Sequence, residues 1–168
     1  MTPAEAADVL ETSGRAYVTI LRSVPPDAAS WRPAPGEWCA NECLGHVIEA
    51  EKRGFAGRIR LILGADNPRL ETWDQPAVAQ ARRDCEKPPE ELIQEFEPLR
   101  RDSLVMLRSV REDQLAREGA HPRVGALTVN DLIHEWVHHD GNHLRQLVAN
   151  IQAYVWPKMG NSRRFYNA

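Results

Sequence analysis

The sequence predicts an all-α fold, a four-helix bundle with long connections. Three observations lead there. Four segments carry apolar residues at helical spacing, strand signals are weak throughout, and two of the links between helices are long. The chain has 168 residues and is 42% hydrophobic, which reads as one domain over 1–168 able to bury its own core.

The first helix is expected from about Pro3 to Ser23. Ala7, Leu10, Ala16, Tyr17, Ile20 and Leu21 recur on one side, and Pro25-Pro26 ends it. Residues 24–40 hold four prolines and read as an extended, irregular crossing anchored by Trp31 and Trp38. The second helix is expected over Asn41–Leu63, with Leu44, Val47, Ile48, Phe55, Ile59 and Ile62 as its apolar side and Gly64 as its stop. Residues 64–88 are long for a bundle link, and a short helix is expected around Ala77–Cys85. The third helix runs from Pro89 to Val110, lined by Leu92, Phe96, Leu99, Leu104 and Leu107, with Pro98 as a potential kink. HPRVG at 121–125 reads as a turn. The fourth helix starts near Thr128, where Thr128-Val129-Asn130-Asp131 resembles a capping box, and runs to about Ala153 before Trp156-Pro157. Aromatic residues in the tail from Tyr154 are expected to dock on the bundle or on a partner subunit.

Composition excludes several classes. Net charge is -3, and arginines alternate with acids, so no basic stripe supports nucleic-acid binding. The N-terminus carries early acids and no apolar core, unlike a secretory signal, and no apolar run reaches the ~20 residues of a membrane span. Cys39, Cys43 and Cys85 are sparse and odd in number, which suits a reducing cytoplasm better than a disulfide framework. The expectation is a cytoplasmic protein.

The chemistry concentrates in HEWVHHDGNHLRQL at 134–147, which holds four of the six histidines. At about 100° per residue, Val129, Leu132, Ile133, Trp136, Leu144, Leu147 and Ile151 define the buried side of the fourth helix. His143 falls inside that arc and His139 lies at its edge, about 40° away. His134 and His138 point largely outward. His139 and His143 are therefore an i, i+4 pair able to converge on one ion. His46, among Leu44, Val47 and Ile48 on the second helix, is the candidate third ligand. Three protein nitrogens leave coordination positions open, as catalytic sites require. The competing reading makes all three histidines hydrogen-bonded core residues. A rival ligand group, Cys39, Cys43 and His46, lacks a second cysteine pair, and both cysteines read as small, partly buried residues. There is no H-E-x-x-H sequence and no nucleophile elbow.

EWCANECLGHVIEAE, TVNDLIHEW and HHDGNHLRQL, taken in order, resemble the DinB/YfiT-like family of metalloenzymes over most of the chain. The resemblance implies an up-down-down-up bundle, often a homodimer. It implies a divalent metal, zinc or nickel, on His46, His139 and His143, with Asp140 matching a common family pattern. Members of the family include low-molecular-weight thiol transferases and a mycothiol-dependent maleylpyruvate isomerase. The function this implies is metal-dependent transfer of a small thiol to an electrophilic small-molecule substrate, because a cation stabilises the anion of a thiol it holds. The alternatives are a non-enzymatic metal-binding or stress-related interaction protein with the same bundle, and a metal-free scaffold.

Other residues divide between site and structure. Trp38 either walls a substrate pocket or buries the crossing. Glu42 either orients a ligand imidazole or complements the helix N-terminus. Arg100 and Arg101 either orient an anionic substrate or are solvated helix charges. Asp140 either orients an imidazole or faces solvent. No catalytic residue is assigned.

Overall fold

Thr2 sets the start of the first helix. Its hydroxyl accepts the Glu5 N–H at 3.2 Å and the Glu5 carboxylate accepts the Thr2 N–H at 2.8 Å, so two otherwise unpaired donors are satisfied. The computed structural model of the chain describes residues 1–166. Helix α1 spans Pro3–Ser23. The proline-rich crossing is less irregular than expected: Pro26 opens a short helix α2, Pro26–Ser30, because proline suits a first helical turn.

The second long helix is built in three pieces, α3 over Ala40–Glu49, a π-helical turn over Ala50–Gly54, and α4 over Phe55–Gly64. Helix α5, Gln75–Arg82, is capped by Asp74 and lies in the second connection. Helix α6 spans Pro89–Arg108 and runs through Pro98. Helix α7 spans Val129–Val155 and starts at the Thr128 capping box, with Asp131 closing it.

The turn expected at 121–125 is present, and it joins two short strands that the weak strand signals did not announce. The residues around the 121–125 turn form a hairpin, β1 over Glu118–His121 and β2 over Gly125–Thr128, antiparallel with Ala120 opposite Ala126. Four-residue strands rich in Gly and Ala give no alternation to read. The pairing is supplied by tertiary contacts: Leu70 N–H donates to Ala120 O and Ala120 N–H to Pro68 O, both at 2.9 Å.

Ion pairs fix the helix directions. Arg108 near the end of α6 meets Asp8 and Glu11, and Arg22 at the end of α1 meets Glu90, so α1 and α6 are antiparallel. Phe55 stacks on Trp136 while Cys43 lies beside Asn150, so α3–α4 runs against α7. Asn41 reaches Lys87 and Glu51 reaches Arg100, so α3–α4 and α6 are parallel. The order is up-down-down-up. Parallel neighbours need a return crossing, and this is why residues 65–88 are long.

The core has two apolar halves. Leu10, Phe55, Ile59, Ile62, Leu107 and Trp136 fill one, and Tyr17, Leu44, Ile48, Phe96 and Leu147 the other. Between them each long helix contributes a polar residue: Glu51, Arg100 and Asp140, all buried, and the half-buried Ser13. Arg100 is only 4% exposed and stands 2.6 Å from Glu51 and 2.8 Å from Asp140, and it also donates to the Leu10 carbonyl. Both sequence readings of Arg100 and Asp140 are thereby corrected: neither faces solvent, an anionic substrate or a histidine ring. Their i+4 neighbours, Leu104 and Leu144, are apolar, so no charge partner one turn on signals that the two meet.

The cysteine reading is also corrected. Cys39 and Cys85 form a disulfide that ties the N-cap of the second long helix to the 3-10 turn Asp84–Glu86. Counting cysteines cannot reveal that residues 46 apart in sequence meet in space. Cys43 is free and buried, as read. No described helix is long and apolar enough to cross a membrane. Of the tail aromatics, Tyr154 docks as expected, edge-on to Trp31 at 5.7 Å with its hydroxyl donating to Asp27, whereas Phe165 is 85% exposed and Trp156 and Tyr166 meet each other. Residues 167–168 lie outside the described residues.

Gly45 carries a prediction. A Cβ there would come within 1.8 Å of Asp84 Oδ2 and 2.7 Å of its Cγ. Asp84 cannot retreat, being held by Arg82 at 2.7 Å and Lys87 at 2.8 Å. Gly45→Ala is expected to lower stability by about 1–3 kcal/mol in urea unfolding. An unchanged midpoint would mean that this helix-to-turn contact is loose.

Candidate metal centre

Three imidazoles meet where α3 faces α7. His46 sits on the buried side of α3, one turn before the π-helical turn. His139 and His143 project from α7 one turn apart. One ring nitrogen from each lies within 4.8 Å of those of the other two, and His46 Nε2 is 2.9 Å from His139 Nε2. Two donors on one ion at about 2.0–2.1 Å lie roughly 3 Å apart, so this spacing suits convergence on a shared ion. His134 and His138 are exposed, in agreement with their helical phase.

The surroundings fix the rings. His143 Nδ1 bonds Gln146 Oε1 at 3.0 Å, which makes Nδ1 the donor and leaves Nε2 as an acceptor toward the cluster. Trp38 lies 5.0 Å from His46 and stacks on His143 at 5.9 Å. It is held there by Asn150 of α7, whose amide donates to the Trp38 carbonyl at 2.8 Å. Trp73 stacks on His46 at 5.8 Å, and Phe55 meets the His139 ring edge-on at 5.0 Å. The buried His139 Nδ1 has no hydrogen-bond partner among the described residues.

Electrostatics keeps the rings neutral. Burial, then the charges His143 and His139 would carry, push His46 down to about 3. Burial, His143 and Arg100 push His139 down to about 3 as well. Burial also lowers His143, against the opposing Gln146 hydrogen bond and Asp140 charge. Lone pairs are therefore free at neutral pH, the form a metal needs. Three neutral imidazoles fit a borderline divalent ion such as zinc or nickel.

A family model, the DinB superfamily, matches residues 10–147. The chain belongs to the DinB superfamily. Its bundle is similar to YfiT from Bacillus subtilis, described as a probable metal-dependent hydrolase with an unusual four-helix bundle topology. The TM-score is 0.79 at 16% identity, over 91% of this chain and 87% of that one. It is also similar to TT2238, a four-helix bundle protein, with a TM-score of 0.60 at 20% identity, over 88% of this chain and 99% of that one. At such identities the likeness is one of fold. Among curated proteins no sequence match was found.

The DinB-superfamily centre opens onto a cleft of about 350 Å³ lined by His46, His139, Phe55, Arg58, Trp73 and Glu135 among others. Glu42 does not reach the imidazoles. It accepts the Cys39 N–H at 3.0 Å and pairs with Arg32, the helix-terminus role. Cys39 is taken by its disulfide, so the rival group of Cys39, Cys43 and His46 does not assemble. Sequence reasoning missed Trp73, Phe55, Gln146 and Arg58. Gln146 was open to inspection, three residues after His143. Trp73 reaches the cleft because the long second connection folds back over α4, which no local pattern announces, whereas Arg58 lies on α4 itself, three residues after Phe55.

Proposed function

We propose that this chain is a divalent-metal-dependent enzyme that holds its ion on His46, His139 and His143 and sets a small nucleophile, water or a low-molecular-weight thiol, against an electrophilic substrate. The observation that carries the reading is the convergence of three neutral imidazoles, two of which, His46 and His139, line an open cleft. A divalent ion bound there supplies Lewis-acid polarisation and lowers the proton affinity of the nucleophile beside it. The protein's own residues do the rest. Gln146 holds the His143 tautomer, Trp38 and Trp73 restrict water around His46, and Phe55 limits rotation of His139. The likeness to YfiT, with its printed hydrolase description, favours water, and the thiol alternative stays within the same geometry.

The test is a turnover screen on zinc- and nickel-loaded protein, pairing activated esters and amides with water and several small thiols with alkylating electrophiles. Saturable turnover, abolished by chelation and restored by metal, is the expected result. One bound metal per chain without turnover in any pairing would replace this reading with that of a non-enzymatic metal-binding protein.

A further inference from the structure

Three arginines of this chain are withdrawn from solvent: Arg58, Arg82 and Arg100. Two of them are neutralised. Arg82 pairs with Glu49, Asp84 and Glu95 at 2.7–2.9 Å, and Arg100 pairs with Glu51 and Asp140. Arg58 has no carboxylate at ion-pair distance among the described residues. Its Nη2 donates to the Glu71 carbonyl at 3.0 Å and lies 3.4 Å from His121 Nε2, while its Nε is buried with no acceptor. Burial lowers its proton affinity, and the Glu135 charge raises it in partial compensation. A guanidinium held partly out of water without a counter-charge is unfavourable unless a ligand supplies one.

Arg58 is also the one of the three that lines the cleft of His46 and His139. The cleft wall places Arg123 and Glu135 near it, which leaves one net positive charge if His121 is neutral. Burial and the two arginines lower the His121 proton affinity, in keeping with that. Trp73 offers a flat apolar wall, backed by the Arg53 guanidinium 5.4 Å from its ring centre.

We propose that Arg58 is the anion anchor of this cleft and that the substrate carries a single carboxylate, gripped by the planar guanidinium, with its reacting end toward the imidazoles. A carboxylate matches the guanidinium fork in two parallel hydrogen bonds, and Glu135 disfavours a more highly charged anion. The proposal rests on the metal reading only for which end of the substrate faces the histidines.

The experiment is a titration with butyrate, followed by the Trp73 indole N–H signal in NMR, on zinc-loaded and metal-free protein with zinc content measured separately. Butyramide, neutral and of the same shape, and inorganic phosphate are the comparison ligands. Butyrate is expected to shift the Trp73 signal in both forms, with butyramide at least tenfold weaker. Arg58→Gln, which keeps an amide donor for the Glu71 carbonyl, is expected to weaken butyrate at least tenfold. Arg58→Lys keeps the charge without the fork and is expected to fall between. Equal butyrate affinity in wild type and Arg58→Gln would overturn the proposal, as would binding that appears only with zinc and ignores Arg58. Tighter binding of phosphate than of butyrate would overturn the choice of carboxylate. Arg58-dependent butyrate binding in a protein that takes up no zinc would sink the metal reading and leave this one standing.

Discussion

Replacing Arg100 by Met is expected to lower the unfolding free energy by about 3–5 kcal/mol. The side chain is 4% exposed and sits between Glu51 and Asp140, so its removal strands two buried carboxylates. Met keeps the length of the stem, so little of the loss comes from packing. The bond to the Leu10 carbonyl goes too, which loosens α1 against α6. Glu51 is the carboxylate that burial already pushes up, against the pull of Arg100. Adding Glu51→Gln to Arg100→Met removes one stranded charge and should recover part of the loss. Urea unfolding of the wild type, the single variant and the double variant measures both terms. A single-variant loss below about 1 kcal/mol would mean that water reaches the polar layer and that it does not order the bundle.

Replacing His139 by Ala is expected to weaken zinc binding at least 100-fold and to remove most of the stabilisation zinc confers. At free zinc a thousandfold above Kd, the wild type should gain about 4 kcal/mol by mass action. A 100-fold weaker site forfeits about 2.7 kcal/mol of that gain. The metal-free form should change far less, because His139 already leaves a buried Nδ1 without a partner. Acid separates the two proteins further. His46 and His139, held down to about 3, bind fewer protons folded than unfolded, where histidine titrates near 6.5. Their contribution is fully present above pH about 6.5 and is lost as pH falls toward 3. The metal-free wild type should therefore lose stability over that window, and His139→Ala more gently. Thermal unfolding with and without zinc at pH 7.5 and pH 5 reads all four quantities. Retention of zinc at full stoichiometry in His139→Ala would remove this residue from the ligand set.

Some of this protein is legible in local pattern. The four long helices follow from spacing and caps: Thr2 and Thr128 fix two starts within a residue, and Pro25 and Trp156 mark the stops. The inward pair His139 and His143, and the outward His134 and His138, follow from 100° per residue alone. His46 among Leu44, Val47 and Ile48 follows from the same rule. These properties are decided by neighbours within one or two turns, which a sequence displays directly.

The tertiary structure decided what depends on partners far apart in the chain. Arg100 looks like half of a solvated Arg-Arg pair, and only the meeting of α6 with α3 and α7 makes it a buried counter-charge. Cys39 and Cys85 read as isolated thiols until the crossing and the second connection bring them into one bond. The hairpin exists because Leu70 and Pro68 complete its hydrogen bonds, beyond anything its own eight residues specify. Trp73 joins the histidine cleft through a long connection whose path no periodicity encodes, and the same connection supplies the Glu71 carbonyl that holds Arg58. The sequence by itself thus determined the helices and the inward-facing histidines, because periodicity and capping are local. The charge balance, the covalent tie and the walls of the cleft waited on the fold, because each is a contact between segments that local chemistry leaves free to meet elsewhere.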